Sequence, residues 1–368
     1  MISAGGTGGG VYPALAVASA ARKLYPQASL HFVGARGDMA RGLVAQSGVR
    51  FDGYHEVLAG PVAGIPRRGQ IASALKIGAG VVQSLALALR LKPEVLFLTG
   101  GWVGVPMALA CWLLRRPIVI YVPDIEPGLM LKVIGRRFAR VIAATTEATA
   151  AYYPGRRVEV TGYPLRPEIL EADRAAAIEA LELDPQRRTL LVFGGSRGSR
   201  SINSAMSAIA PDLLADGVQI LHISGKLDWP QVQAAHAQLA PEQRARYQVF
   251  DFLPDIGQAF AAADLVISRA GAATLAEYPQ LGLPSILVPY PHAWRYQHVN
   301  AEYLVERGAA IQLDDARLDT ELLPAVRELL GDGERLAAMR RAAEALRQPD
   351  GAANIARLLA RTAGHPAG

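Results

Sequence analysis

Three turns made of glycine and other small residues carry most of the chemistry legible in this 368-residue chain. The first, Gly5-Gly6-Thr7-Gly8-Gly9-Gly10, lies between a short apolar strand remnant and a helical pattern at 13–24, with Pro13 near the expected first turn. Glycine permits positive φ and close backbone approach, so amides at a helix start can meet an anion or a sugar oxygen. The second, Gly194-Gly195-Ser196-Arg197-Gly198-Ser199-Arg200-Ser201, follows the apolar run 190–193. Its amides, the Ser196 hydroxyl and the helix start suit a diphosphate. It lacks the Gly-Lys-Ser/Thr ending of a P-loop, and neither turn has dinucleotide spacing with an acidic partner after the next strand. The third runs from Ser268 to Glu277. Glu277 falls about one helical turn after Thr274, where a carboxylate could grip a ribose diol. The same spacing fits a capping box equally well, with Thr274 as N-cap. Two phosphate-type turns on separate sheets predict one ligand cleft between two domains.

These turns need strands and helices to hold them. Apolar runs alternate with helical patterns along the chain, the signature of parallel α/β sheets. Strands are expected at 30–33, 95–99, 118–122, 141–143 and 158–161, then at 189–193, 219–223, 247–250, 265–268 and 285–288. Helices are expected at 13–24, 72–90, 105–114, 201–214 and 273–281. The turn formers Gly162-Tyr163-Pro164-Leu165-Arg166-Pro167 separate two similar halves. The expected domains are therefore 1–162 and 163–349, with a last helix at about 350–364 packing back on the first. Only four residues precede Gly5, so either the first strand is short or the natural start lies upstream.

Composition narrows the class. Half the chain is apolar (51%) and 19% is charged, which suits two folded cores. One cysteine, Cys111, excludes a disulfide framework or a multi-cysteine metal site. A net charge of +5 fits an anionic ligand or an acidic membrane surface and is too diffuse for nucleic acid. With no signal peptide before Gly5, a cytoplasmic location is expected. Two apolar stretches bear on membranes: 71–91 carries Lys76 and Gln83, and 106–122 is interrupted by Arg115, Arg116 and Pro117. Neither reads as a clean span. An apolar helix face with Trp112, Arg115 and Arg116 could dock on a bilayer, whereas a core-packed helix is the expectation for much of 71–91.

Several separated motifs resemble the MurG family, UDP-N-acetylglucosamine:lipid-linked muramyl-pentapeptide N-acetylglucosaminyltransferases. They are the first glycine turn with Pro13-Ala14-Leu15-Ala16, Gly100-Gly101-Trp102-Val103, Pro127-Gly128-Leu129 and Val192-Phe193-Gly194-Gly195-Ser196-Arg197-Gly198. The series continues through Ser268 to Glu277, Gly282-Leu283-Pro284, Pro289-Tyr290-Pro291-His292, Gln297 and Asn300-Ala301. The resemblance spans nearly the whole chain and implies the GT-B architecture. That architecture has two Rossmann-like parallel-sheet domains across a cleft, with acceptor on the first and UDP-GlcNAc on the second. Carried over by position, Arg166 contacts the donor and Ser196 the diphosphate. Phe252 and Leu253 line the uracil, unless Phe252 is an ordinary core aromatic. Ala272, Ala273 and Thr274 lie at the phosphates, Glu277 holds the ribose, and Gln297 reads the donor sugar. Thr7, Gly8, Gly9 and Gly10 form the acceptor-side glycine loop. No Asp-x-Asp is present, in keeping with chemistry that needs no metal and no cofactor; helix dipoles, amides and Arg166 would stabilise leaving UDP.

The acceptor side departs from the family. Its glycine loop usually ends in histidine where this chain has Gly10, and its His-Glu-Gln-Asn segment is Tyr121-Val122-Pro123-Asp124 here. Tyr163 stands for the usual Asn before the hinge proline, and Tyr296 for the first of two donor glutamines. Inversion needs a base for the acceptor hydroxyl. Asp124, with Glu126 second, lies on the loop after 118–122 and is the candidate; the alternative is that Asp124 caps the helix after Pro127. The expected function is inverting GlcNAc transfer from UDP-GlcNAc to lipid I in peptidoglycan synthesis, by a protein peripheral on the inner face of the cell membrane. Alternatives keep the fold with another lipid acceptor, run a UDP-GlcNAc 2-epimerase reaction, or bind sugar nucleotide or lipid without catalysis.

Overall fold

The computed structural model describes residues 1–6, 8–61, 66–195, 198–292 and 295–366. The chain divides into two compact units, Met1–Leu165 with Pro349–Gly368, and Arg166–Gln348.

The first unit opens with β1 (Ile2–Ser3), α1 (Gly8–Leu24), β2 (His31–Ala35), α2 (Ala40–Gln46), β3 (Gly53–Val57) and α3 (Arg67–Leu91). It continues with β4 (Leu96–Leu98), α4 (Gly104–Leu113), β5 (Ile118–Val122), α5 (Leu129–Arg137), β6 (Val141–Ala144) and β7 (Val158–Val160). Among the described residues its strands form one parallel sheet in the order β3-β2-β1-β4-β5-β6-β7. The order reverses between β1 and β4, the point at which doubly wound sheets bind ligands beyond their carboxyl ends. The Gly5 turn leaves β1 there, and Gly100-Gly101 leaves β4.

The second unit holds α6 (Pro167–Leu170), α7 (Arg174–Ala180), β8 (Thr189–Phe193), α8 (Arg200–Ala215), β9 (Gln219–Ile223) and α9 (Trp229–Ala237). Then come α10 (Pro241–Arg244), β10 (Tyr247–Phe250), α11 (Ile256–Ala262), β11 (Leu265–Ser268), α12 (Thr274–Leu281), β12 (Ser285–Leu287) and α13 (Tyr296–Glu306). The unit ends with β13 (Ala310–Gln312), α14 (Leu318–Gly331) and α15 (Gly333–Ala345). Its sheet is also parallel, ordered β10-β9-β8-β11-β12-β13. Here the reversal lies between β8 and β11, so both remaining small-residue turns leave strands at the switch point. Two parallel-sheet units of this kind are the GT-B architecture.

Three local features differ from the sequence expectations. Helix α1 begins at Gly8, five residues before Pro13, which sits inside it. Pro13 offers no amide to the Gly9 carbonyl, while the Thr99 hydroxyl donates to the neighbouring Gly10 carbonyl at 2.6 Å. Second, α3 is not a core helix. Ser73, Ser84, Leu87 and Ala88 are buried, and the helix packs against α4, but Ile71, Leu75, Val82 and Leu89 are 59–72% exposed. Periodicity marks an apolar face without saying whether anything covers it. Third, Gln70–Leu91 is long and apolar enough by length and composition to cross a membrane, with Lys76 and Gln83 both tolerated. Its packing on α4, and the Leu58 amide donating to Gln83 Oε1 at 2.9 Å, tie it to the folded unit.

A last helix, α16 (Gly351–Ala363), packs on α1 and contributes Ile355, Leu358 and Leu359 to the core around Val11, Leu15 and Phe32. Gly351 is needed at its start, since a Cβ there would lie 2.3 Å from the Tyr163 carbonyl oxygen.

Candidate functional site

The first unit's glycine turn is locked by a neighbour that sequence reasoning missed. Asp38, just after β2, accepts the Gly6 amide at 2.7 Å. Gly6 has φ +85°, and a Cβ on Gly5 would fall 2.3 Å from the Asp38 carboxylate. Gly101, with φ +81°, approaches so closely that its Cβ would lie 2.4 Å from the Gly5 carbonyl. Gly8, Gly9 and Gly10 form the first turn of α1, so backbone amides there have no side chains over them. Thr7 and Ser196 lie outside the described residues.

Beyond β5 and β6 the segment 121–124 is organised around a buried tyrosine. Tyr121 is fully buried, its hydroxyl paired with Thr145 Oγ1 at 2.9 Å. Burial pushes its phenol well above the usual range, so it stays protonated. Its ring meets Tyr163 edge to face with centroids 6.2 Å apart. The two tyrosines thus pack on one another. Thr145 Oγ1 also donates to the Pro123 carbonyl at 2.9 Å, which fixes the start of the loop bearing Asp124 and Glu126. The N-cap of α5 is Gly128, so Asp124 is not its capping residue. Glu126 is half-buried, and its Oε2 is buried without a hydrogen-bond partner. The buried hydroxyls of Thr146, which follows β6, and of Thr149, in the short 3-10 helix Glu147–Tyr152, are also unpaired. Unsatisfied buried oxygens are costly to keep.

In the second unit the capping-box reading of Thr274 and Glu277 does not hold. Ala273 is the N-cap of α12, and Thr274 Oγ1 donates to the Gly271 carbonyl at 2.7 Å. Glu277 lies beyond that position, its amide bonded to the Ala273 carbonyl at 2.8 Å. Burial raises its carboxyl to about 7, opposed by the Arg166 guanidinium and reinforced by Glu168. Arg166 itself pairs with Glu168 at 3.0 Å. Arg166, Glu168 and Glu277 are therefore electrostatic neighbours. Ala272 and Ala273 precede Glu277 on the half-buried turn after β11.

Phe252 is 59% exposed, which removes the core-aromatic reading; with half-buried Leu253 it offers an apolar surface after β10. Gln297 is the second residue of α13 and accepts the Tyr290 amide through Oε1 at 2.8 Å. That bond engages its Oε1 and leaves Nε2 as the donor end of the amide. Tyr290 is held from below by Arg269, whose guanidinium lies 5.2 Å from the ring centroid and donates to the Val288 carbonyl at 3.1 Å. Arg269 also donates to Ser201 Oγ at 2.9 Å and pairs with Asp315, linking the ends of β11, β12 and β13 to α8. No sequence motif pointed to this brace, because its partners are far apart in the chain.

Below the β8 turn runs a buried polar relay. Tyr247 OH bonds His222 Nδ1 at 2.7 Å, and His222 Nε2 bonds Asn203 Oδ1 at 2.9 Å. Asn203 Nδ2 donates to the Ser224 carbonyl at 2.9 Å and to Asp228 at 3.1 Å. An amide oxygen can only accept, so His222 carries its proton on Nε2. Burial depresses the imidazole to about 3 and keeps it neutral. The group positions α8 and the loop after β9, a structural duty consistent with the absence of metal-ligand spacing. Among the described residues no cluster of three or more His, Cys, Asp or Glu is arranged for a metal.

Comparisons with known proteins bear on the family and the fold. Residues 1–143 match the glycosyltransferase family 28 N-terminal domain, and residues 189–355 match the family 28 C-terminal domain. The chain is 37% identical to a UDP-N-acetylglucosamine–N-acetylmuramyl-(pentapeptide) pyrophosphoryl-undecaprenol N-acetylglucosamine transferase of Desulforudis audaxviator, covering 99% of this chain and 98% of that protein. It is 36% identical to a protein of the same name from Salinibacter ruber, covering 96% and 94%. Among solved structures, Acinetobacter baumannii MurG matches with a TM-score of 0.79 at 26% identity over 98% of this chain and 99% of that one. A structure described as a UDP-N-acetylglucosamine 2-epimerase from Listeria monocytogenes matches at TM-score 0.69 and 14% identity over 98% and 95%, a likeness of fold alone.

Proposed function

The chain belongs to the MurG family of glycosyltransferases, and from that premise we propose that it transfers GlcNAc from UDP-GlcNAc to the muramyl 4-hydroxyl of lipid I. The observation that carries the reading is similarity running unbroken through both units, since donor and acceptor chemistry are assigned to different ones. The product is the β-linked disaccharide lipid of peptidoglycan synthesis.

The donor lies on the second unit. Phe252 and Leu253 face the uracil, Glu277 accepts from the ribose hydroxyls, and the turn at Ala272, Ala273 and Thr274 lies along the phosphates. Gln297 Nε2 donates to the sugar. Departure of UDP places growing negative charge on the diphosphate, which the β8 turn, with Ser196, and Arg166 stabilise. On the first unit, Gly8, Gly9 and Gly10 with Thr7 form the acceptor loop. Asp124 takes the proton of the attacking hydroxyl as that oxygen bonds to C1 and the C1–phosphate bond breaks, with Glu126 as the second candidate. No metal or cofactor is invoked.

A lipid-linked acceptor requires the enzyme to reach a bilayer. The exposed apolar residues of α3, together with Trp112 and Leu113 (50% and 55% exposed) beside Arg115 and Arg116, form the docking surface on this reading. The protein then works in the cytoplasm, peripheral on the inner face of the cell membrane. The tyrosine-built acceptor loop supports one second reading, transfer from UDP-GlcNAc to a different lipid. The test is UDP release from UDP-GlcNAc with lipid I, diacylglycerol and polyprenyl phosphate in parallel. Release that depends on lipid I supports the proposal; release only with another lipid favours the second reading, and release with none refutes both.

A further inference from the structure

Helix α8, sixteen residues long, starts beyond the β8 turn with Ser199 as its N-cap, in extended backbone at φ −149° and ψ 104°. A serine here ordinarily accepts an amide of the first turn, worth about 1 kcal/mol to a helix. Ser199 makes no such bond. Its residue is only 5% exposed, and its Oγ is buried without a hydrogen-bond partner. The neighbouring hydroxyls behave differently. Ser201 donates to Asp315 at 2.6 Å, Ser224 to the Phe250 carbonyl at 3.2 Å, Ser268 to the Arg269 carbonyl at 2.9 Å, and Thr274 to Gly271. All four lie at strand ends or helix starts of the same unit, and all are satisfied. Ser199 is the exception among them.

The backbone holds it there. Gly198 has φ +77°, and a Cβ on it would lie 2.2 Å from the Ser224 carbonyl; a Cβ on Gly194 would lie 2.4 Å from the Ser199 nitrogen. A turn packed this tightly gives Ser199 little freedom to swing toward the helix. No acidic residue stands in the first turn of α8 to answer its amides. An uncapped helix start and a buried hydroxyl donor beside it require the same partner, an anion with several acceptor oxygens.

We infer that the Ser199 hydroxyl is a specific hydrogen-bond donor to a non-bridging oxygen of a nucleoside diphosphate at the start of α8. This rests on the sugar-nucleotide reading of the second unit and names a further residue within it. The unpaired oxygen is then a cost carried by the empty protein and recovered when ligand binds.

The test uses the full chain and calorimetric titration with UDP and with uridine, for wild type, Ser199→Ala and Ser199→Gly. Glycine is tolerated at an N-cap, so the second variant guards against a folding defect in the first. Both variants are expected to bind UDP about tenfold more weakly, as for loss of a hydrogen bond to a charged group. Uridine affinity should be unchanged, and ligand-free melting should be no lower for Ser199→Ala, because a buried unpaired hydroxyl is removed. UDP affinity within twofold of wild type in both variants overturns the inference, as does an equal loss for UDP and uridine. If the wild type binds no UDP, the sugar-nucleotide reading falls with it; if only the variants behave like wild type, that reading stands.

Discussion

Glu277 and Asp124 are the two carboxylates to which the proposed function gives opposite duties, and each duty is open to test. Glu277 is desolvated, so its carboxyl sits at about 7 and responds to small pH changes near neutrality. On the proposed reading a ribose diol donates to the ionised form. KM for UDP-GlcNAc is therefore expected to rise as pH falls below about 7, and this dependence should disappear in Glu277→Gln, whose KM is high throughout; initial rates across pH 6–8.5 measure it. Asp124 stands on the loop started by Pro123 and does not cap α5. Asp124→Asn should reduce kcat at least about a hundredfold, the usual range for a lost general base, while UDP binding stays normal. Near-normal turnover in that variant, with a large loss in Glu126→Gln, would transfer the role to Glu126. The unpaired Glu126 oxygen makes this a real contest.

At the scale of elements, the relay through His222 shows what fixes α8 over the sheet. His222→Phe strips partners from Asn203 and Tyr247, both buried, and should cost about 2–4 kcal/mol in urea unfolding. The imidazole is held near 3, well below its ordinary 6.5, so the unfolded chain gains a proton first on acidification. The resulting stability is present above pH 6.5 and lost as pH falls toward 3; the Phe variant should lack that slope. Helix α3 carries a separate expectation. Leu75→Glu, at a position 72% exposed, should leave the fold intact and weaken sedimentation with anionic liposomes about tenfold or more. Unchanged sedimentation would remove α3 from the docking surface.

What was legible in the sequence follows the same physics. Central strands such as β5, β8 and β11 are largely buried and dominated by apolar residues, and their bounds could be read from the sequence. The edge strands β3 and β13 could not, because Gly53-Tyr54-His55-Glu56-Val57 is half-exposed and mixed in polarity, and Ala310–Gln312 is only three residues. Pro13 pulled the expected start of α1 too late, since glycines 8–10 read as turn. The small-residue turns were visible as motifs. The Arg269 brace, the Asp38 latch and the idle Ser199 hydroxyl were not, since each depends on which atoms of distant segments meet.

For the whole molecule, the return of the chain to its first unit has a measurable consequence. Ile355, Leu358 and Leu359 are buried in the core around α1. At roughly 1.5–3 kcal/mol for each buried aliphatic side chain, removing residues 350–368 withdraws about as much stability as a domain possesses. Truncation after Pro349 is expected to unfold the first unit, leaving UDP binding by the second; scanning calorimetry with and without UDP resolves the two transitions. Retention of the first transition would contradict the packing of α16.

Function joins both units, and the most direct measurement is the structure of the product itself. Incubation with UDP-[13C]GlcNAc and lipid I, followed by NMR of the purified lipid, reports the acceptor position and the anomeric configuration of the new bond. The expected result is a single β-linkage from GlcNAc to the muramyl 4-hydroxyl, formed with release of UDP. An α-linkage, epimerised or free sugar in place of a disaccharide lipid, or an unaltered lipid I would contradict it.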